Sequence, residues 1–322
     1  MSAQRNQFIA HVDANVPLCR EHFRLDLVVN RFPATRPGQF VQLSCRPEDV
    51  DEVLDRDVEW SSDVSPWHAA DPELVAPLAV LRRPFSLAGR VERGAVSILQ
   101  VIHRVVGIGT AWLAGLRPGD RVGILGPLGN AFTLPEGDQE ALLVGGGVGI
   151  PPMLYLAEAL RRRPRAVAFC GATTRDLLPL TLSASHPADS GAAPARSVEE
   201  FSRHGVASVV STDDGSYGYR GFVTQALERY LDDAGVRGSA AVIYTCGPEI
   251  MMKRVADIAI SREIPCQVAV ERAMACGMGT CQSCCIRVRK PDAALPPLPG
   301  KDWCYRLACT DGPIFQASEL LW

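Results

Sequence analysis

Apolar and polar positions fall into two textures along the chain, with the change at Ala141. Over residues 8–45 the apolar residues come in short runs, Phe8 to Val12 and Phe23 to Val29. The turn signal Arg36-Pro37-Gly38-Gln39 leads into Phe40-Val41-Gln42-Leu43. Similar runs return at Val96–Val101 and Val122–Leu125. Alternation punctuated by proline and glycine predicts an antiparallel barrel or sandwich rather than helices. A short helical pattern to Leu116 follows Gly109-Thr110. The acidic, proline-bearing stretch 46–77, with Trp60 and Trp67, reads as an inserted surface loop with a short helix over 47–54.

From Ala141 strand and helix patterns alternate. Ala141–Val144 is a buried strand, Gly145 to Ile150 a glycine-rich turn, and Pro151-Pro152 sits where a first helical turn tolerates proline. Met153, Leu154, Leu156, Ala157 and Leu160 form an apolar stripe. Apolar runs at Ala166–Cys170, Ala207–Ser211 and Ala241–Thr245, with helical patterns between them, predict a parallel sheet. The low-complexity segment 183–196 reads as a loop.

With 322 residues the chain has room for two or three domains. A net charge of −3 gives no nucleic-acid footprint, and Arg161-Arg162-Arg163 closes a helical segment, where cations suit the dipole. No apolar run is long enough for a membrane span, and residues 1–15 lack the apolar core of a signal peptide. Five of the eleven cysteines are scattered before residue 267, which suits a reducing, cytoplasmic setting.

The densest chemistry is Cys276-Gly-Met-Gly-Thr-Cys281-Gln-Ser-Cys284. Thiols at this spacing cannot share one helix face, but a loop wrapped round an inorganic core aims all three inward. Gly277 and Gly279 let the backbone approach and turn its N–H groups towards sulfide. The spacing is that of a plant-type 2Fe–2S site, which needs a fourth cysteine further on. Cys309 is the first choice, with Cys285 and Cys304 as competitors. A zinc knuckle is the plainer alternative, but structural zinc uses paired C-x2–4-C units and only one exists here. Upstream, Arg83 beside a strand and Gly107-Ile-Gly109-Thr110 opening a helix suit a diphosphate. The turn Gly145–Gly149 departs from G-x-G-x-x-G at Ile150, and Cys246-Gly247-Pro248 ends a sheet strand where an α/β crevice binds ligands.

Together these motifs resemble the ferredoxin-reductase-like flavoproteins, within them the branch serving as electron-transfer subunits of NAD-linked dihydroorotate dehydrogenases. The carriers are Arg83-Pro84-Phe85-Ser86, Val106 to Thr110, Gly126 to Gly129, Leu143 to Gly149, Thr212-Asp213-Asp214-Gly-Ser216, Tyr244 to Pro248, and Arg272 to Cys284 with Leu307 to Phe315. The stretch 46–77, the long connection from Cys284 to Cys309 and the extra Cys285 depart from that pattern.

The resemblance implies a flavin-binding antiparallel β-barrel over 1–136, a Rossmann-like NAD(H) domain over 137–265 and a small 2Fe–2S module over 266–322. It implies FAD held by Arg83, Pro84, Phe85 and Ser86, with its diphosphate at Gly107, Gly109 and Thr110. NAD would meet Gly145, Gly147 and Gly149, its ribose near Asp213 and Asp214, with Cys246 near the hydride path. Arg175 could instead read the 2′-phosphate of NADPH. Cys276, Cys281, Cys284 and Cys309 would hold the cluster. The implied partner is an FMN-bearing dihydroorotate dehydrogenase catalytic subunit, two of each chain forming a heterotetramer, with contact around Met278, Thr280 and 285–303. Flavin–iron–sulfur subunits of a sulfide dehydrogenase, sulfite reductase, hydrogenase or bifurcating transhydrogenase share the chemistry. An iron–sulfur redox-sensing regulator is the reading from a different class.

Overall fold

The computed structural model describes residues 6–47, 79–161, 165–290 and 302–322. The expected helix at 47–54 and nearly all of the 46–77 stretch lie outside the described residues, as does the middle of the 285–303 connection.

Six strands close into an antiparallel barrel: β1 (Asn6–Cys19), β2 (His22–Asn30), β3 (Phe40–Cys45), β4 (Ala79–Arg93), β5 (Val96–Arg104) and β6 (Arg121–Leu128). Their order is β1-β2-β5-β4-β3-β6, and β6 returns to β1 with Asn6 opposite Gly126, so no edge stays unpaired. The period-2 pattern sends Leu25, Leu27, Val41, Leu43, Leu99, Val101 and Ile124 inside, where each is at least 99% buried. Helix α1 (Ile108–Gly115) crosses one end of the barrel. Its last carbonyls have no partner within the helix; the Asn15 amide nitrogen donates to Leu113 O, Ala114 O and Leu116 O at 2.9–3.2 Å.

The second layer is a seven-stranded sheet. It contains β7 (Glu140–Gly146), β8 (Ala166–Ala172), β9 (Ala207–Thr212), β10 (Tyr219–Arg220), β11 (Ala241–Cys246), β12 (Cys266–Ala269) and, at the edge, β15 (Ile314–Gln316). The order is β10-β9-β8-β7-β11-β12-β15, all parallel except β15. Helices α2 (Ile150–Leu160), α3 (Glu199–Ser202), α4 (Val223–Asp233) and α5 (Glu249–Ser261) connect the strands. The chain runs outward from β7 through β8 and β9, then crosses back to β11 on β7's other side. The carboxyl ends of β7 and β11, with Gly145 opposite Cys246, therefore form the switch-point crevice of an open α/β sheet.

Beyond β12 the chain forms the cysteine loop and a two-stranded ribbon, β13 (Cys285–Arg289) with β14 (Trp303–Leu307), before β15 pairs antiparallel with β12. The module expected from residue 266 thus begins and ends with strands of the nucleotide-type sheet. It is also tied to the barrel's closing turn. The Asn130 side chain donates to Asp311 O and Ile314 O and accepts from Ile314 N, and Asn130 N donates to Gly312 O at 2.7 Å. On the opposite side, the Tyr155 hydroxyl of α2 shares a 2.7 Å hydrogen bond with Thr35 of the barrel. No helix among the described residues is long and apolar enough to cross a membrane.

Candidate redox site between barrel, sheet and cysteine loop

A cavity of about 540 Å³ opens where the three parts meet, within the usual size of a cofactor pocket. The barrel supplies Phe40, Pro84, Phe85 and Ser86 from β3 and β4, His103 from β5 and Thr110 from α1. The sheet side supplies Val148 and Pro151, and the approach to the cysteine loop supplies Val270 to Met274 with Pro313. Pro84, Phe85, Ser86 and Thr110 of the predicted flavin set are therefore brought together. Arg83 is not in the lining; its Nη1 donates to Leu81 O at 2.9 Å and Arg82 O at 3.4 Å. Thr110 closes its own loop, its hydroxyl accepting from Val106 N and Gly107 N and donating to Gly107 O. Gly107 is exposed, whereas Gly109 is buried against Cys45 and Ala79.

Three residues that sequence reasoning passed over belong here. His103 is 1% exposed, stacked on Phe23 at 5.9 Å, and neither ring nitrogen has a partner. Burial, reinforced by nearby His22, pushes its pKa down to about 4, so the imidazole is neutral. The only sequence signal was a polar residue on a buried strand. Glu271 faces the cavity and accepts a hydrogen bond from the Cys246 thiol at 3.8 Å. Solvent reaches Glu271 through the cavity mouth, yet protein surrounds the carboxyl closely enough to raise its pKa by desolvation. Cys246 itself is 1% exposed, and burial followed by the Glu271 charge holds its thiol protonated. The third, Gln42, lies against the cysteine loop rather than in the cavity.

The glycine turn after β7 is built for close backbone approach. A Cβ on Gly149 would lie 2.2 Å from Cys246 O, and one on Gly145 would lie 3.0 Å from Ile150 Cα. Gly147 takes φ +53° with open space beyond it. Asp213 and Asp214 sit past β9, exposed. Asp214 Oδ1 accepts from Ser216 N and Oγ, which lowers its pKa and makes it first a turn-closing residue. Burial, then the charge of Asp214, raises that of Asp213. Ser216 Oγ also accepts from Arg175 N, and the Arg175 guanidinium lies 5.3 Å over the Tyr217 ring.

In the cysteine loop Gly277 (φ +67°) and Gly279 (φ +87°) turn the chain as only glycine does easily. The Cys276 sulfur accepts N–H bonds from Met278 at 3.3 Å and Cys281 at 3.4 Å. The four thiols act on one another. Cys281 hydrogen-bonds with Ser283 and with Cys276, which lowers its pKa to about 6. Cys309 is pushed up to about 12 by desolvation and by its bond with Cys284. Among the described residues no three thiols, imidazoles or carboxylates converge as they would on a single ion. Four neighbouring thiols, with N–H donors at the Cys276 sulfur, instead fit a two-iron centre. Of the competitors, Cys285 is exposed at the start of β13, and Cys304 is buried in β14 opposite Val288.

A flavin-type barrel, a switch-point dinucleotide crevice and a loop of neighbouring thiols define a ferredoxin-reductase-like oxidoreductase. Residues 143–257 match the oxidoreductase NAD-binding domain, and residues 271–321 match the iron-sulfur cluster binding domain of dihydroorotate dehydrogenase B. A solved structure titled for flavin-based electron bifurcation by the NADH-dependent reduced ferredoxin-NADP oxidoreductase superposes with TM-score 0.67 at 25% identity. It covers 97% of this chain and 90% of its own. The chain is 37% identical over 247 residues to the Geobacillus kaustophilus protein named dihydroorotate dehydrogenase B (NAD(+)), electron transfer subunit, covering 75% of this chain and 80% of that one. The protein so named from Caldanaerobacter subterraneus subsp. tengcongensis is 34% identical over 75% of this chain and 81% of its own. The chain belongs to this family of dihydroorotate dehydrogenase B electron transfer subunits.

Proposed function

We propose that this chain passes electrons from the FMN of a dihydroorotate dehydrogenase catalytic subunit to NAD⁺, in the making of pyrimidines. The observation that carries this is the shared wall of the cavity. Met274, two residues before Cys276, and Pro313, four residues after Cys309, line it opposite Phe85, Ser86 and His103. Both ends of the thiol loop thus abut the proposed flavin pocket, and the glycine turn of the dinucleotide crevice borders it through Val148. When bound, the cluster supplies one-electron transfer, and the flavin converts between single electrons and the hydride of nicotinamide.

The chain's own residues have separable tasks. Cys276, Cys281, Cys284 and Cys309 would hold the cluster. Pro84, Phe85 and Ser86 seat the flavin, Arg83 lends it positive charge, and Gly107, Gly109 and Thr110 receive its diphosphate. Gly145, Gly147 and Gly149 admit NAD(H), with Asp213 and Asp214 beside its ribose. Cys246 shapes the hydride path, its thiol held by Glu271. Burial raises the pKa of the Glu271 carboxyl, which accepts the hydrogen bond of that thiol. The complex holds two copies of each subunit in the cytoplasm, with the cluster loop turned to the partner; Met278 there is 51% exposed.

The test is the variant Cys281→Ser in the complex with its catalytic chain. It should lose cluster absorption, keep FAD, still take hydride from NADH, and lose dihydroorotate-dependent NAD⁺ reduction by at least about tenfold. A variant shown to lack the cluster that supported the coupled reaction at the native rate would sink the proposal. Coupled activity that required another dehydrogenase chain would move the partner.

A further inference from the structure

Among the described residues, Gln42 shares with His103 the anomaly of a buried side chain whose two polar atoms both lack a partner. It sits on β3 between Val41 and Leu43, both of which point into the barrel core, so its own side chain leaves the barrel on the outer face. There it is 0% exposed, and neither Nε2 nor Oε1 has a hydrogen-bond partner. An amide buried with both ends unpaired is costly, on the order of 1–3 kcal/mol for each group. It also lies outside the lining of the cavity. What it meets is the cysteine loop: a Cβ at Gly277 would lie 2.8 Å from Gln42 Oε1 and 3.1 Å from Leu128 Cδ1. Gly277 follows the first thiol, and its φ of +67° keeps the loop pressed against the amide.

We infer that Gln42, a residue of the flavin barrel, donates a hydrogen bond to the sulfur side of the cluster site and sets its reduction potential. The inference rests on reading the four thiols as 2Fe–2S ligands. Backbone N–H groups already reach the Cys276 sulfur from Met278 and Cys281, so the site gathers donors around sulfur. The Gln42 NH₂ group is one further donor with nothing else to serve. Since both amide ends are free, rotation about the last side-chain bond turns NH₂ towards the loop without breaking a bond. Donors to cluster sulfurs stabilise the reduced, more negative state and raise the potential. Gln42 is therefore a positioning and tuning residue that matches the cluster to the flavin from the flavin's own domain.

The experiment uses the complex with its catalytic chain, prepared anaerobically, comparing native protein with Gln42→Leu. Iron, sulfide and FAD content should be unchanged. In a redox titration followed by the electron paramagnetic resonance of the reduced cluster, the midpoint should fall by a tenfold change in the one-electron equilibrium, about 59 mV. In native protein carrying ¹⁵N in its glutamine side chains, the reduced cluster should show a ¹⁵N hyperfine coupling that is absent from Gln42→Leu. A loaded variant with an unchanged midpoint and unchanged couplings makes Gln42 a packing residue and overturns the inference. If Gln42→Leu does not fold, Gln42→Met, whose flexible apolar chain fills the same slot, replaces it. Failure of both to fold overturns it too, because the amide would then be structural. Native protein without iron and sulfide would instead overturn the cluster reading itself, and this inference with it.

Discussion

The two walls of the central cavity are made of different material. The barrel wall is side chains: Phe85, Ser86, His103 and Thr110 project from strands and a helix end. The sheet wall is Val148 and Pro151, carried by a glycine turn whose backbone stacks on the end of β11. Two glycine-bearing stretches look interchangeable in sequence, Gly107-Ile108-Gly109 on the barrel side and Gly147-Val148-Gly149 on the sheet side. In space each opens on an uncrowded glycine, Gly107 or Gly147, and closes on a packed one, against the Cys45 and Ala79 side chains at Gly109 and against backbone at Gly149. At Gly149 a Cβ would lie 2.2 Å from Cys246 O and 2.4 Å from Gly247 N, whereas at Gly107 a Cβ would meet nothing within 4 Å. One glycine is demanded by the fold, and the other leaves room for a ligand. A glycine motif thus carries two messages that the sequence alone does not separate.

The sharpest way to break this comparison is Gly149→Ala. The obstructing atoms are backbone at the switch point, so no side chain can yield, and overpacking there should cost about 3 kcal/mol. FAD should stay bound in the barrel while its reduction by NADH, followed by stopped flow, becomes undetectable or falls at least about a hundredfold. Native rates in the variant would mean that the turn does not receive the dinucleotide.

On the barrel wall the corresponding sensitivity is to pH. His103 has a folded pKa near 4, against about 6.5 for an unperturbed imidazole. Between these values the unfolded chain binds a proton that the folded chain refuses, so stability falls as pH drops from 6.5 to 4. The loss levels off below 4, after about 3 kcal/mol. His103→Phe, which keeps an aromatic ring beside Phe23, should flatten that part of the acid profile measured by urea denaturation. Equal acid slopes in the two proteins would show that His103 is not the group refusing the proton. No comparable dependence belongs to the glycine turn, which has nothing to titrate.

How much of this could be read from the chain depended on whether local pattern or distant packing decides the matter. The barrel and the parallel sheet were legible because inward and outward positions alternate, and because Gly and Pro mark the turns. The candidate set Cys276, Cys281, Cys284 and Cys309 comes from spacing plus one long return. β15 was not legible: Ile314–Gln316 is only three residues long, and its pairing with β12 is set by the Asn130 clamp. Arg83 reads as a flavin anchor, and what the sequence does not show is that its guanidinium bonds to carbonyls of its own strand. Asp213 and Asp214 read as a pair, and the sequence does not show that Asp214 Oδ1 also closes the turn with Ser216. His103, Glu271 and Gln42 escaped notice because a single polar residue in an apolar run shows neither its burial nor what faces it. Only the three-way junction gives them meaning.

The smallest expected effect lies at Gly107, and its value is that two readouts should move in opposite senses. Gly107 has φ 179°, extended backbone open to any residue. Alanine there is neither strained nor crowded, and it restricts the unfolded chain. Gly107→Ala should therefore leave the FAD-free protein as stable as before or raise its stability by about 0.5 kcal/mol. The flavin diphosphate is proposed to approach this backbone, and a methyl group would hold it off. FAD should then dissociate faster from the variant, by about threefold to tenfold, as followed by the recovery of flavin fluorescence on dilution. Gly109→Ala is the control. Its Cβ would meet Cys45 Cβ at 3.1 Å and Ala79 Cβ at 3.2 Å, so stability and FAD retention should fall together. If Gly107→Ala released FAD at the native rate, the diphosphate would be assigned to Thr110 and the first turn of α1, with Gly107 only leading into that helix.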